Sequence, residues 1–354
     1  MTRAFLHLLP LAALAALAAR AQTSDAPAMS PFGLVIHGGA GTISRAELSP
    51  ELEAQFRAKL HEALAAGYAV LERGGPALDA VIAAVNLLED SPLFNAGRGA
   101  VMNADGQCEL DASIMNGRTL EAGAIAGVQR IRNPINLARD VMEKSAHVML
   151  AGKGAEKFAE QLGYELVPNE YFHTDLRRLQ LEKAREKEKS GRAAIFAHGR
   201  MTFATVDDNY LLREMKFGTV GCVALDQQGN LAAGTSTGGM TNKKFGRVGD
   251  SPIIGAGTYA KNSTAAVSCT GHGEFFLRAN VAHEVSAQME YRGASLAEAA
   301  DAAIRKVGAL GGTGGLIAID ARGHVALPFN TTGMYRGWRA SGRPATVEIF
   351  GPAR

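Results

Sequence analysis

Hydrophobic and polar positions repeat with two different periods along the chain, and the two periods separate predicted helices from predicted strands. An apolar residue recurs at every fourth position from 52 to 68, directly after Ser49-Pro50, which predicts an amphipathic helix. Further helices are predicted near 76–88, 133–144, 154–162, 274–291 and 295–306. Short apolar runs bounded by turn residues predict strands at 33–37, 100–103, 108–115, 219–225, 230–235, 265–270, 315–320 and 324–328.

Runs of strand beside blocks of helix favour sheets covered by helices, and we interpret the two halves of the chain as pieces of one layered domain. Between them, residues 175–192 are dense in charges of both signs. This composition fits a solvated helix or a disordered linker, and both interpretations stay open. The wider segment 171–218 is interpreted as a variable, flexible linker, a place where cutting of the chain is tolerated.

The overall composition is that of an ordinary globular protein with a surplus of glycine. The chain has 354 residues, of which 47% are hydrophobic and 41 are glycine, enough for one large domain or two modest ones. Its net charge is +2, from 37 basic and 35 acidic residues. A nearly neutral chain creates no strong field, so we expect no nucleic-acid partner and no membrane partner.

The first 21 residues differ from the rest of the chain. Arg3 is followed by an apolar run from Phe5 to Ala18, and Ala19-Arg20-Ala21 offers a cleavage site of the small-x-small type. This pattern is typical of a removed secretory signal peptide, whereas an uncleaved anchor would need about 20 apolar residues. We therefore predict that residues 1–21 are removed and that the protein is exported, being either periplasmic or secreted.

Export raises the question of disulfide bonds. The chain has three cysteines, Cys108, Cys222 and Cys269, so at least one of them stays unpaired. Cys222 and Cys269 lie in apolar runs typical of strands, which favours buried free thiols over a disulfide framework.

The most informative stretch runs from residue 218 to residue 252. It places Thr219 after Gly218, continues through two predicted strands, and ends in a glycine-rich segment that contains Arg247 and Asp250. On composition alone, a threonine that opens a strand is simply a β-branched residue, and its hydroxyl needs a base to become a nucleophile. If the chain were cut between Gly218 and Thr219, the new α-amine, with a pKa near ~8, would supply that base.

The sequence GTVGCVALDQQGNLAAGTSTGGMTNKKFGRVGDSP resembles the nucleophile region of the plant-type asparaginase and isoaspartyl peptidase family of N-terminal-nucleophile hydrolases. The resemblance extends over nearly all of the mature chain and is weakest in 163–217. It implies an α+β fold, a four-layer αββα sandwich. It also implies self-cleavage into an α subunit, residues 22–218, and a β subunit, residues 219–354, with two such pairs forming an (αβ)2 heterotetramer.

The same resemblance implies amide hydrolysis at an aspartyl side chain, with L-asparagine or β-aspartyl dipeptides as substrates and no cofactor for catalysis. Thr219 is then the nucleophile, and Thr237 orients it. Arg247 binds the substrate α-carboxylate, and Asp250 binds the α-ammonium group. This pair agrees with elementary chemistry, because a substrate that is a zwitterion at its α-carbon needs one fixed cation and one fixed anion.

A second motif, Thr270-Gly271-His272-Gly273-Glu274, lies between a predicted strand and a predicted helix. A strand-to-helix turn presents N–H groups that can stabilise a developing negative charge. The resemblance assigns the oxyanion hole to the Thr270 hydroxyl and the Gly271 N–H, and substrate contacts to Gly271 and Gly273. His272 stands where the family usually has a small residue, so we expect it to affect the leaving-group side of the pocket.

The loop around Phe94-Asn95-Ala96-Gly97 also matches the family, and it gives Asn95 a supporting role near the nucleophile. The same loop resembles a structural sodium site formed by backbone carbonyls. By position, these carbonyls belong to Leu88, Glu89, Ser91, Phe94, Ala96 and Arg98. The segment from His37 to Gly41 matches the N-terminal strand and turn of the family and is interpreted as structural.

Three alternatives compete with this interpretation. A glycosylasparaginase is the near alternative within the same class. A serine esterase of the α/β-hydrolase type would use Ser236 in Gly234-Thr-Ser-Thr-Gly238, but a poor helix start follows this motif. A secreted amino-acid-binding protein would use Arg247 and Asp250 without explaining the residues around Thr219.

Overall fold

The structure is a computed structural model that describes residues 32–41, 43, 48–190, 195–197, 200–202 and 218–351. The predicted signal peptide lies outside the described residues, as does most of the segment 191–217. Within the part of the chain that is described, no helix is long and apolar enough to span a bilayer.

The strands fall into two sheets and one short ribbon. In chain order they are β1 (Gly33–Gly41), β2 (Leu110–Asn116), β3 (Ala122–Val128), β4 (Met149–Ala151), β5 (Ile195–Ala197), β6 (Arg200–Thr202), β7 (Val220–Leu225), β8 (Leu231–Thr237), β9 (Thr258–Ala260), β10 (Ala265–Gly271), β11 (Gly314–Asp320), β12 (Val325–Ala326), β13 (Gly333–Ala340) and β14 (Thr346–Phe350). The larger sheet has the order β14-β13-β1-β7-β8-β2-β3-β4, and the smaller sheet has the order β12-β11-β10-β9.

The centre of the larger sheet is the hairpin of β7 and β8, which lies between β1 and β2 and is antiparallel to both. β7 therefore places Thr219, the residue just before it, at one end of the central hairpin of the larger sheet. β5 and β6 pair only with each other among the described strands.

The helices lie outside the two sheets. They are α1 (Pro50–Glu72), α2 (Ala77–Glu89), α3 (Pro134–Lys144), α4 (Gly152–Gln161), α5 (Asp175–Lys189), α6 (Gly273–Ala279), α7 (Val281–Arg292) and α8 (Leu296–Ala309). Ser49 caps α1 as predicted, accepting a hydrogen bond from the Leu52 amide at 3.3 Å. Ser295 and Glu298 form a capping box that begins α8.

Three hydrophobic cores show that the molecule has four layers. The first core lies between α1–α5 and the larger sheet and includes Leu34 and Ile36. The second lies between α6–α8 and the smaller sheet. The third lies between the two sheets and includes Val35 and Ile317. Neighbouring residues of β1 enter different cores because side chains alternate along a strand. The predicted αββα sandwich is confirmed.

The charge-dense segment forms a helix where the structure describes it. Of the two interpretations left open by the sequence, the helix is found as α5, which carries buried Arg177 and Leu181 on the side facing the protein. The single helix predicted over 274–291 is instead two helices. Asn280 adopts a left-handed conformation, with φ 49°, and separates α6 from α7.

The three cysteines are free and buried, which confirms the prediction made for Cys222 and Cys269. Burial raises the pKa of the Cys108 thiol to about 12, so this thiol stays protonated and unreactive near neutral pH.

Candidate active site

Thr219 lies one residue before β7, with only 7% of its surface exposed. Its Oγ1 donates a hydrogen bond to Oγ1 of Thr237, at the end of β8, over 3.2 Å. Thr237 Oγ1 also accepts a hydrogen bond from the Gly239 amide at 3.1 Å, which fixes its orientation. The two threonines that the sequence separates by 18 residues therefore meet at one end of the central hairpin.

Gly218 and Asn95 lie directly beside this pair. A Cβ at Gly218 would be 3.2 Å from the Asn95 side chain, so the Gly218–Thr219 bond passes close to the loop that carries Asn95. Asn95 holds this loop in place, because its amide donates to the Gly239 carbonyl at 2.8 Å and its Oδ1 accepts from Val101 N at 2.9 Å. Its role in the structure is to join the loop to the end of β8.

Arg247 and Asp250 face the turn that follows β10. The Arg247 guanidinium makes a two-pronged contact with Glu274, from Nε at 2.8 Å and from Nη2 at 2.9 Å. A Cβ at Gly273 would lie 2.7 Å from Arg247 Nη2 and 2.9 Å from Asp250 Oδ1. The sequence named Glu274 only as part of a motif, and the structure shows that it holds the arginine.

Asp250 is buried and carries an oxygen that lacks a hydrogen-bond partner among the described residues, Oδ2. Burial raises the pKa of this carboxyl to about 7, although the nearby Arg247 charge lowers it. A cation placed against Oδ2 would satisfy the oxygen and favour its ionised form. The arrangement is therefore suited to binding an ammonium group.

The residues of the turn after β10 are closely packed. Gly271 has φ 148°, and a Cβ there would lie 2.4 Å from the Thr313 carbonyl oxygen, so only glycine fits. The Thr270 hydroxyl is buried and accepts a hydrogen bond from Ala40 N at 3.3 Å. His272 is also buried, and burial lowers its pKa to about 4, so the imidazole is neutral near pH 7.

His37 is a site residue that sequence reasoning assigned only to structure. Its Nδ1 lies 2.9 Å from the carbonyl oxygen of Thr219, and its Nε2 lies 2.9 Å from Ser268 Oγ. Burial lowers its pKa to about 3, so the ring is neutral. The HGGAG segment is the only sequence signal that points to His37. The contact itself could not be predicted, because His37 and Thr219 are 182 positions apart in the sequence.

Ser236, the nucleophile of the serine-esterase alternative, lies on the other face of β8. Its hydroxyl donates to Glu89 Oε1 on α2 at 2.6 Å, and the residue is fully buried. Burial raises the pKa of Glu89 to about 8. Thr235 and Thr237 point to the opposite face because side chains alternate along the strand. Ser236 therefore faces the helical layer, away from Thr219.

The segment from 238 to 252 is anchored at several points. The backbone N–H of Asn242 donates to the Met102 carbonyl at 2.8 Å. Buried Lys243 donates through Nζ to the Glu109 carbonyl at 3.1 Å. Glu188, near the end of α5, bonds to Lys244 and to the Asn242 side chain. The loop that carries Arg247 and Asp250 is thus held by residues that precede Thr219 in the chain.

No group of three or more histidine, cysteine, aspartate or glutamate side chains within the described ranges is arranged to hold a metal ion. The residues predicted for sodium contribute carbonyls rather than side chains. Of these, Leu88, Glu89, Ser91, Phe94 and Ala96 are buried, and Arg98 is exposed.

A four-layer αββα sandwich with a threonine just before a central strand is the arrangement of the N-terminal-nucleophile class of amide hydrolases. A family model described as Asparaginase matches residues 29–349, which is most of the chain. The chain belongs to this asparaginase family and is an amidohydrolase.

Individual relatives agree with the family match. The chain is 54% identical over 318 residues to an isoaspartyl peptidase of Escherichia coli strain K12, an alignment that covers 90% of this chain and 95% of the relative. It is 42% identical over 310 residues to an isoaspartyl peptidase/L-asparaginase of Danio rerio, covering 87% and 91% respectively. The corresponding protein of Bos taurus is 41% identical over 307 residues, covering 86% and 92%.

Proposed function

We propose that this protein is an exported, self-cleaving isoaspartyl peptidase and L-asparaginase that uses Thr219 as its nucleophile. The observation that carries the proposal is the hydrogen bond between the Thr219 and Thr237 hydroxyls, together with the opposite charges of Arg247 and Asp250. The names of the relatives support the two activities.

The first step is cleavage of the Gly218–Thr219 bond. It frees the α-amine of Thr219, whose ordinary pKa near ~8 suits it to accept the hydroxyl proton. The Oγ then attacks the side-chain carbonyl of the substrate, and the protonated amine gives its proton to the departing ammonia or amino acid. Water then attacks the ester between Thr219 and the aspartyl group, and the α-amine accepts a proton from the water. The ester bond breaks, the Thr219 hydroxyl is restored and aspartate is released.

Substrate recognition follows from the charges near the nucleophile. Glu274 occupies Nε and Nη2 of Arg247, so a substrate α-carboxylate would approach the guanidinium from its Nη1 edge. The α-ammonium group would pair with Asp250 Oδ2. The developing oxyanion would be stabilised by the turn at Thr270 and Gly271, which gives these two residues an electrostatic role. Gly273, which has no side chain, allows Arg247 and Asp250 to approach this turn closely.

Replacement of the nucleophile tests the proposal. We expect Thr219→Ala to remain one uncut chain on a denaturing gel and to have no hydrolytic activity. The matched control is Ser236→Ala, which removes a hydroxyl on the opposite face of β8 and should keep both cleavage and activity. An active Thr219→Ala variant together with an inactive Ser236→Ala variant would favour the serine esterase instead.

The leaving group is tested by a panel of three substrates, namely asparagine, a β-aspartyl dipeptide and a glycosylated asparagine. We expect hydrolysis of the first two. A preference for the glycosylated substrate would make the protein a glycosylasparaginase. Binding without any hydrolysis would favour the amino-acid-binding alternative.

Export and assembly are supported by sequence alone. The apolar run after Arg3 and the Ala19-Arg20-Ala21 site support removal of residues 1–21, and an N-terminal sequence beginning at Gln22 would test this. The family resemblance supports an (αβ)2 heterotetramer, which sedimentation analysis would distinguish from a single αβ pair.

A structural sodium ion is part of the proposal. Its ligands would be the backbone carbonyls of Leu88, Glu89, Ser91, Phe94, Ala96 and Arg98. Gly97, with φ 49°, supports such a site because a Cβ there would lie 2.3 Å from the Glu89 carbonyl oxygen, so the loop is tightly closed. Thermal unfolding should occur at a higher temperature in sodium chloride than in choline chloride of equal ionic strength. Equal unfolding temperatures would contradict the proposal.

A further inference from the structure

A continuous line of buried polar side chains crosses the layer between the two sheets and ends at the nucleophile. It contains one histidine and four hydroxyl residues, and each of them is fully buried: His37, Ser268, Thr235, Thr258 and Ser113. The rest of this layer consists mainly of alanine, valine, leucine and isoleucine. Burying polar groups in such surroundings costs free energy unless every group is hydrogen-bonded. Five buried polar side chains in contact with one another therefore suggest a function beyond packing.

The distances define a continuous chain of hydrogen-bond contacts. Ser113 lies 2.8 Å from Thr258, and Thr258 donates to Thr235 at 2.5 Å. Thr235 lies 2.7 Å from Ser268 and 3.2 Å from the Gly257 carbonyl. Each hydroxyl has one proton to donate, and Ser268 reaches His37 Nε2 at 2.9 Å. At its far end, Ser113 also lies 2.6 Å from the Ser251 carbonyl, beside Asp250.

The contact with Thr219 fixes which nitrogen of His37 carries the proton. The Thr219 carbonyl can only accept a hydrogen bond, so Nδ1 must be the protonated nitrogen, and Nε2 accepts from Ser268. The low pKa of the buried ring agrees with this single neutral form. Gly221 makes the contact possible, because a Cβ there would lie 2.0 Å from Ser268 Oγ and 2.4 Å from His37 Nε2.

We propose that His37 is a positioning residue for Thr219, held in its donor form by the hydroxyl chain of Ser268, Thr235, Thr258 and Ser113. The proposal rests on the proposed function in one respect, that Thr219 becomes an N-terminal nucleophile. Once the bond to Gly218 is cut, the residue is held only by its side chain and by the peptide plane that follows it. The His37 bond to the Thr219 carbonyl fixes that plane, and the α-amine and Oγ both project from it.

Two isosteric replacements of His37 separate its two contacts. The amide nitrogen of asparagine falls near the position of Nδ1, so His37→Asn keeps a donor for the Thr219 carbonyl. The amide of glutamine falls near Nε2, so His37→Gln keeps only the contact with Ser268. Because Arg247 and Asp250 are untouched, a misplaced nucleophile lowers kcat rather than raising KM.

We expect His37→Gln to lower kcat, measured per cut chain, by about 10- to 100-fold with KM changed by less than about three-fold. His37→Asn should retain a kcat at least about five-fold higher than that of His37→Gln. Ser268→Ala, which leaves His37 in place, should lower kcat by a smaller factor. Equal effects of the two His37 variants, or a wild-type kcat in His37→Gln, would overturn the proposal.

The matched control is Ser286→Ala. It removes one member of another buried hydroxyl pair, Ser286 and Thr264 at 2.7 Å, at the end of β10 away from Thr270. It should lower the unfolding temperature without changing kcat. A fall in kcat equal to that of Ser268→Ala would show that loss of any buried hydroxyl pair has this effect, and would overturn the proposal.

A second measurement does not depend on activity. In protein labelled with ¹⁵N-histidine, the His37 signals, identified by their loss in His37→Asn, should show Nδ1 protonated from about pH 5 to about pH 9. Protonation at Nε2 would overturn the proposal even in an active enzyme. If the wild-type protein hydrolyses nothing, the proposed function fails while this spectroscopic result still stands.

Discussion

At the scale of single residues, burial determines what the ionisable groups of this site can do. His37 and Asp250 are both buried, and burial keeps the neutral form of each: the pKa of the histidine falls to about 3 and that of the aspartate rises to about 7. For His37 the neutral form is the useful one, because it donates to a carbonyl. In the proposed function the charged form of Asp250 is the one required, and a bound ammonium group would offset the free-energy cost of ionising this buried carboxyl.

This cost gives a prediction for Asp250→Asn. The pKa of the carboxyl is about 7 when folded and ~3.9 in an unfolded chain, so the folded state binds its proton more tightly. Wild-type Asp250 therefore destabilises the fold fully above about pH 7, and the effect disappears as the pH falls towards 4. The variant should unfold at a higher temperature than the wild type near pH 8, with a difference that shrinks towards pH 4, while losing binding of substrates with an α-ammonium group.

Calorimetry across this pH range checks the prediction, with activity measured on the same samples. The control is Asp105→Asn, an exposed site whose replacement should leave the unfolding temperature unchanged at every pH. A variant at position 250 that is less stable than the wild type near pH 8 would contradict it.

At the scale of elements, the helical layer approaches the larger sheet closely enough that glycine is required at one contact. A Cβ at Gly123 of β3 would lie 2.0 Å from the Ala138 carbonyl oxygen of α3, a distance that backbone atoms cannot relieve without moving the helix. Gly154 of α4, by contrast, has open space around its Cβ position and no positive φ. Close packing therefore requires a glycine at position 123, whereas the space around position 154 would accept a larger residue.

We therefore expect opposite effects from the same substitution. Gly123→Ala should lower the free energy of unfolding by ~1–3 kcal/mol or more, because the core is overpacked. Gly154→Ala should raise it by ~0.5–1 kcal/mol, because alanine favours the helix. Urea unfolding of both variants measures the difference. A Gly123→Ala variant as stable as the wild type would contradict the backbone contact at Gly123, and a destabilised Gly154→Ala variant would contradict the prediction for α4.

At the scale of the whole molecule, the two chains expected from cleavage are interleaved in one sheet. β1 and β2 precede Thr219, and β7 and β8, which follow it, lie between them. The core beneath the sheet likewise combines residues from both sides of the cleavage point, such as Leu60 and Val220. The larger sheet and the core beneath it are therefore complete in neither chain, whereas the smaller sheet and the core under α6–α8 come entirely from the chain that begins at Thr219.

From this interleaving we expect the cut chains to stay together. On size-exclusion chromatography, cut wild-type protein and uncut Thr219→Ala should elute at the same volume, and two bands should separate only on a denaturing gel. Dissociation of the chains in native buffer would contradict the expectation. The physical reason is that separation would expose the strand edges of β1, β2, β7 and β8 and the apolar surface between the layers.

Much of the fold was predictable because its signals are local. Periodicity and caps placed α1, α3 and α8 nearly where the structure has them, and turns placed the hairpin of β7 and β8. The final hairpin of β13 and β14 was missed. β13 pairs with β1, about 300 residues earlier in the chain, and this partner has no local signature.

The sequence by itself determined the chemistry of the site, because the residues from Gly218 to Asp250 form one continuous motif around Thr219. Only the tertiary structure decided how that chemistry is held in place. The contacts of Thr219 with His37, and of His37 with Ser268, join residues 182 and 231 positions apart, and they exist because β1, β7 and β10 meet across two sheets. Strand order and layer packing are set by the whole chain, so no short motif contains them.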